Sequence, residues 1–137
     1  MAQRQLRWVE KGNYIIHFTH STDGGNTFSA PINLTSRNGQ SSSPQIYPSK
    51  NGLYMVWTHD SIYFEKSIDG GGTFGDPINL SKNTDRDSFL PNIAASGNNI
   101  YAVWTVASDR NHAVFLTKST DGGHTFSDPV NISKNTE

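Results

Sequence analysis

One phrase of fourteen residues is written three times in this chain: STDGGNTFSAPINL from Ser21, SIDGGGTFGDPINL from Ser67 and STDGGHTFSDPVNI from Ser119. The copies begin 46 and 52 residues apart. Self-similarity at that period marks an array of small supersecondary units, none of which buries its apolar face alone. The flanking material recurs in a fixed order as well. A polar linker leads to Ser43-Pro44-Gln45-Ile46, then to Asn51-Gly52-Leu53-Tyr54-Met55-Val56-Trp57-Thr58, then to Ile62-Tyr63-Phe64-Glu65-Lys66-Ser67.

Within a unit there is no helical periodicity, and Gly, Asn, Asp, Ser and Pro stand at every break, so the chain reads as all-β. Leu53–Trp57 and Ile100–Trp104 are unbroken apolar runs, as expected of strands covered on both faces. Ser61–Phe64 and Ala113–Leu116 read as the next strand and lead into the repeated phrase. Its Thr-Phe pair is expected to open a fourth strand, which carries Pro31, Pro77 or Pro129 and so belongs at a sheet edge. Four short strands per unit is the anatomy of a β-propeller blade. The predicted division is a partial blade over about 1–36, a second over about 37–83 and a third over about 84–137. In the first, Leu6–Val9 aligns with the strand Ala102–Trp104 and Ile15–His20 with Val114–Lys118, leaving one strand missing. A rival alignment equates Phe18-Thr19-His20 with Trp57-Thr58-His59.

The repeated octet carries its own physical logic. Asp23, Asp69 and Asp121 can accept turn N–H groups, the paired glycines ending at Gly25, Gly71 and Gly123 permit positive φ, and the hydroxyls of Ser21, Ser67 and Ser119 can bond locally. Phe28, Phe74 and Phe126, which follow Thr27, Thr73 and Thr125, are then expected to plug the gaps between neighbouring sheets. Ser-Xaa-Asp-Gly-Gly-Xaa-Thr-Phe, three times, resembles the Asp box, or BNR repeat, of sialidases and sialidase-like β-propellers. That resemblance covers the whole chain. It implies that the boxes lie on hairpins away from any active site, with their aspartates as turn formers. Trp8, Trp57 and Trp104, one per unit, read as inter-sheet core rather than as sugar platforms.

Enzymes of the resembled group use an arginine triad, a Tyr–Glu nucleophile pair and a separate Asp acid/base. Their Arg-Ile-Pro signature would fall near Ser42-Ser43-Pro44 or Phe89-Leu90-Pro91, and neither offers an arginine. Glutamate is limited to Glu10, Glu65 and Glu137, and Glu65 stands beside a box. The expectation is a chain without catalytic residues. The opposite face, built from linkers and strand connections, supplies Arg37, His59, Asp60, Arg86, Asp87, Asp109, Arg110 and His112 as candidate ligand-binding residues. Such a set could hydrogen-bond a glycan, and the three arginines could converge on an acidic sugar, but a solvated loop face also looks like this.

Composition narrows the remaining classes. A formal charge of −1 with scattered Lys and Arg gives no basic stripe for nucleic acid. The absence of Cys rules out thiolate metal sites, and the candidate His residues are too few and too dispersed to argue a metal centre, so no metal or cofactor is expected. The amino terminus lacks the apolar core of a signal peptide, and no stretch approaches the roughly 18 apolar residues of a membrane span; the compartment stays open. Sequons at Asn33, Asn79 and Asn131 recur with the repeat. Propellers close with roughly four to eight blades. Three units would leave apolar faces wet, with Trp8 and Phe18 at one end and Val114, Leu116 and Phe126 at the other, so self-association to a homodimer is the first expectation. Three functions follow in order: a non-catalytic assembly or scaffolding module, a lectin-like glycan binder, and a fragment of a sialidase-type glycosidase.

Overall fold

The computed structural model describes residues 14–35, 40–82, 87–107 and 111–133. Among them are ten β-strands and no helix: β1 (His17–Phe18), β2 (Ile32–Asn33), β3 (Ser42–Ser49), β4 (Gly52–His59), β5 (Ser61–Ser67), β6 (Ile78–Asn79), β7 (Ser88–Ser96), β8 (Asn99–Val106), β9 (Ala113–Ser119) and β10 (Val130–Asn131). They form three antiparallel sheets, β1-β2, β3-β4-β5-β6 and β7-β8-β9-β10. No helix of the described residues is long and apolar enough to cross a membrane.

Equivalent residues pair at equivalent points in all three sheets. Phe18 faces Ile32, Phe64 faces Ile78 and Leu116 faces Val130. In the first unit β1 therefore holds the place of β5 and β9. The strand expected over Leu6–Val9 lies outside the described residues, as does Trp8. The last strand of each unit is shorter than expected, beginning after the proline rather than at the Thr-Phe pair. Proline lacks the N–H for a ladder bond, and the Thr donors are engaged by the turn described below.

The second and third sheets stack face to face, and the first unit packs on the second sheet. One apolar cluster joins the second and third: Tyr54, Val56, Ile62 and Phe64 meet Ile100, Ala102, Trp104 and Val106. A smaller one joins Ile16 of the first unit to Met55 and Trp57 of β4. Trp57 and Trp104 are both buried and stack on the adjacent strand's aromatic, Tyr63 at 5.7 Å and Phe115 at 6.4 Å. This is core packing, not a sugar platform.

Burial on both faces holds for β4 but not for β8. Residues Tyr54 to Trp57 are all buried, whereas β8 alternates and leaves Tyr101 38% exposed. The cause is position in the stack, because among the described residues the second sheet has a neighbour on each side and the third has one. The expected open ends also need correcting. Phe18 is covered by Phe74, and the half-buried Phe126 packs on Phe64 against the main cluster, so neither is bared as an end residue.

Candidate functional site

Antiparallel order puts the repeated octets at one end of the sheets, with the β3–β4 and β7–β8 hairpins, and the β4–β5 and β8–β9 connections at the other. The octet end is built alike three times. The hydroxyls of Ser21, Ser67 and Ser119 donate to the Oδ1 atoms of Asp23, Asp69 and Asp121 at 2.8, 2.8 and 2.7 Å. The same oxygens accept the N–H groups of Thr27, Thr73 and Thr125 at 2.8, 2.8 and 2.9 Å. Each Oδ2 accepts the corresponding Thr hydroxyl. The serine hydroxyls accept in turn from the N–H groups of Gly25, Gly71 and Gly123.

Hydrogen bonds of this kind favour the charged carboxylate. The Thr27 hydroxyl and N–H, then Ser21, bring Asp23 down to about 2. Thr73 and Ser67 do the same for Asp69, again to about 2, and Thr125 and Ser119 hold Asp121 well below the usual carboxylate range. Both oxygens of every carboxylate are engaged by their own turn. They are turn formers, with chemistry spent on geometry.

The second glycine of the octet has a further reason to be glycine. A Cβ on Gly71 would lie 2.3 Å from the Phe18 ring, and one on Gly123 would lie 2.9 Å from the Phe64 ring. Phe74 and Phe126 close the same contacts, edge-on to Phe18 at 5.2 Å and to Phe64 at 4.8 Å. The second and third octets thus pack on the preceding unit. Phe28 departs from the expected plug: it is 52% exposed, and nothing lies within 4 Å of the Cβ position of Gly25. No preceding sheet stands there among the described residues.

Polar bonds follow the same direction. Lys66 Nζ donates to the Gly122 carbonyl at 2.9 Å, Asn51 reaches Gly97 and Asn98 of the next hairpin at 3.4 Å, and Lys82 pairs with Asp128 at 2.6 Å.

At the opposite end, the candidates divide. His59 closes β4, where Ser41 Oγ lies 3.2 Å from its Nδ1, and Asp60 forms the tight turn into β5 with φ +61°. Asp87 precedes β7 and its carbonyl accepts the Ala107 N–H at 3.0 Å; His112 precedes β9 and meets the Phe89 ring edge-on at 5.5 Å. Each pair flanks one end of its own sheet. Arg37, Arg86, Asp109 and Arg110 lie outside the described residues. Among the described residues no group of three or more His, Asp or Glu is gathered to hold a metal.

Two features are not legible in the sequence, the first at this end and the second at the octet end. β3 and β7 each carry a bulge, between Ser42 and Gln45 and between Phe89 and Asn92, with Ser43 and Leu90 at φ +53°. Both residues precede a proline within a strand, Pro44 or Pro91, which was the available signal. Glu65 stands out in the sequence only for its position beside the octet. It is buried, its Oε2 has no hydrogen-bond partner, and burial, then the Asp76 charge, push its carboxyl up to about 7.

Between the first unit and β3 lies a groove of about 460 Å³, lined by Ile16, Phe18, Pro44, Ile46, Pro48 and Leu53 among others. Ile46 is 46% exposed there, whereas its counterpart Ile93 is 8% exposed. β7 packs on β3 and β4 of the sheet before it, and β3 has no such pair beneath it among the described residues. Among the described residues nothing fills this packing layer. No family model and no curated protein sequence matches the chain.

Proposed function

We propose that the chain is a segment of a sialidase-like β-propeller, each sheet one blade, and that it works as a non-catalytic assembly module whose open faces accept further blades. A second copy is the first candidate. The observation that carries this reading is the unequal coverage of equivalent positions: Tyr54 is fully buried, while Tyr101, one unit later at the same strand position, is 38% exposed. An apolar ring bared on a sheet face, where its counterpart one unit earlier is covered, is a place for a further sheet to pack.

The residues favour assembly over catalysis. The octet aspartates are committed to turns, Glu65 is buried at the octet side of β5, and Ser42 and Phe89 stand where the resemblance places arginine. Light scattering at micromolar concentration is expected to give twice the chain mass. A stable monomer overturns the self-association.

Glycan binding at the loop end is the second reading, favoured by the strained residues Ser43, Asp60 and Leu90 collected there, since positive φ on non-glycine residues gathers at functional sites. Calorimetric titration with sialylated and neutral sugars tests it, with Arg37→Ala, Arg86→Ala and Arg110→Ala as controls. Absence of heat at millimolar sugar disposes of this reading.

A further inference from the structure

The contact between the second and third sheets has two halves, and among the described residues one copy of each is unmatched. The seat is β5, which offers the ring of Phe64 and the ammonium of Lys66. The insert is the third octet. Its Phe126 meets Phe64 edge-on at 4.8 Å, its Gly123 lets the backbone pass against that ring, and its Gly122 carbonyl accepts from Lys66 at 2.9 Å. The first and second units repeat the apolar part, with Phe74 and Gly71 on Phe18.

One step further along the stack, β9 presents an empty seat. Leu116 holds the place of Phe64 but is only half-buried, and Lys118 holds the place of Lys66 and is exposed. One step earlier, the first octet is an unused insert, with Phe28 exposed and open space over Gly25.

We propose that the first octet of one copy docks on β9 of a second copy, Phe28 packing on Leu116 and Lys118 donating to the Gly24 carbonyl. This rests on the self-association proposed above and names its surfaces. The occupant is a second copy because the two exposed halves continue an interface the chain already makes twice. Leucine in place of phenylalanine keeps the seat apolar, and Lys118 suits an octet whose Asp23 carboxylate is exposed. The two surfaces differ, so the contact is heterologous, and closure after two copies makes it twice.

Charge complementation tests the pairing. Phe28→Asp and Leu116→Lys both alter side chains that are not fully buried, so each variant should fold. Each alone is expected to raise the dimer dissociation constant by at least about tenfold, as removal of a central apolar anchor does. An equimolar mixture should recover the dimer mass, because one contact then pairs Asp with Lys and the other keeps the original Phe and Leu. Rescue by mixing is beyond a variant that has misfolded. A dimer unaffected by both changes overturns this interface while sparing self-association, and a monomeric parent chain overturns both. Lys118→Ala, at an exposed position, should weaken the dimer by about three- to tenfold; no effect removes the lysine contact from the proposal.

Discussion

Asp69 and Glu65 sit four positions apart on one hairpin and are driven in opposite directions. Asp69 is solvent-exposed, yet Thr73 and Ser67 donors lower it to about 2. Its folded-state value lies below the ordinary 3.8, so its contribution is present above that pH and is lost as pH falls toward 2. Asp69→Ala should lower the thermal midpoint by about 5 °C, measured by circular dichroism at neutral pH, by orphaning the Thr73 N–H. Glu65 has the reverse sign. Burial raises its folded-state value from 4.5 to about 7, so its contribution is fully present below 4.5 and is lost as pH rises through 7. Denaturant titrations should show stability falling between about pH 5 and about pH 8, and Glu65→Gln should flatten that limb. An unchanged slope in the variant would assign the decline to another group.

At the scale of the strand pair, the three units show why Glu65 is anomalous. Thr19 and Thr117 occupy its position, and their hydroxyls donate to the carbonyls of Ser29 and Ser127. The serine hydroxyls then accept from His20 and Lys118 backbone N–H groups at 3.1 Å. The second unit has Gly75 instead of the serine and keeps only the backbone bond to the Lys66 carbonyl. A Cβ on Gly75 meets nothing nearer than 3.7 Å. Glu65→Thr with Gly75→Ser should therefore raise stability at pH 8 by about 1–3 kcal/mol, the cost of a buried unsatisfied group removed and hydrogen bonds restored. The gain should shrink at pH 5.

The octet glycines give a second comparison between elements. Gly25 and Gly71 share a positive φ of +91° and +94°, but only Gly71 lies under an aromatic ring. Gly25→Ala should cost about 1 kcal/mol of backbone strain, whereas Gly71→Ala should cost about 2–4 kcal/mol because overpacking against Phe18 is added. Equal losses in chemical denaturation would mean that the Phe18 contact carries no weight.

For the whole molecule, the exposed halves of the stack tie stability to concentration. Association stabilises the folded chain by mass action, so the thermal midpoint should rise with protein concentration. Phe28→Asp should remove that dependence without lowering the midpoint at high dilution. A midpoint independent of concentration in the parent chain would separate its stability from assembly.

The strand pattern was legible in the sequence because each strand is bounded by turn chemistry and each unit is spelled out again. The octet hydrogen bonds were legible for a related reason: Ser, Asp, Gly and Thr are close in sequence, and their bonding is local. Bulges at Ser43 and Leu90 were not, since a proline inside a strand marks an irregularity without fixing its form. Nor was the inequality among equal residues. Phe28, Phe74 and Phe126 have one sequence context, and only their neighbours in space make the first exposed and the others packed. Local chemistry wrote the repeat into the sequence, but burial depends on what lies across the next sheet, and only the tertiary structure decides that.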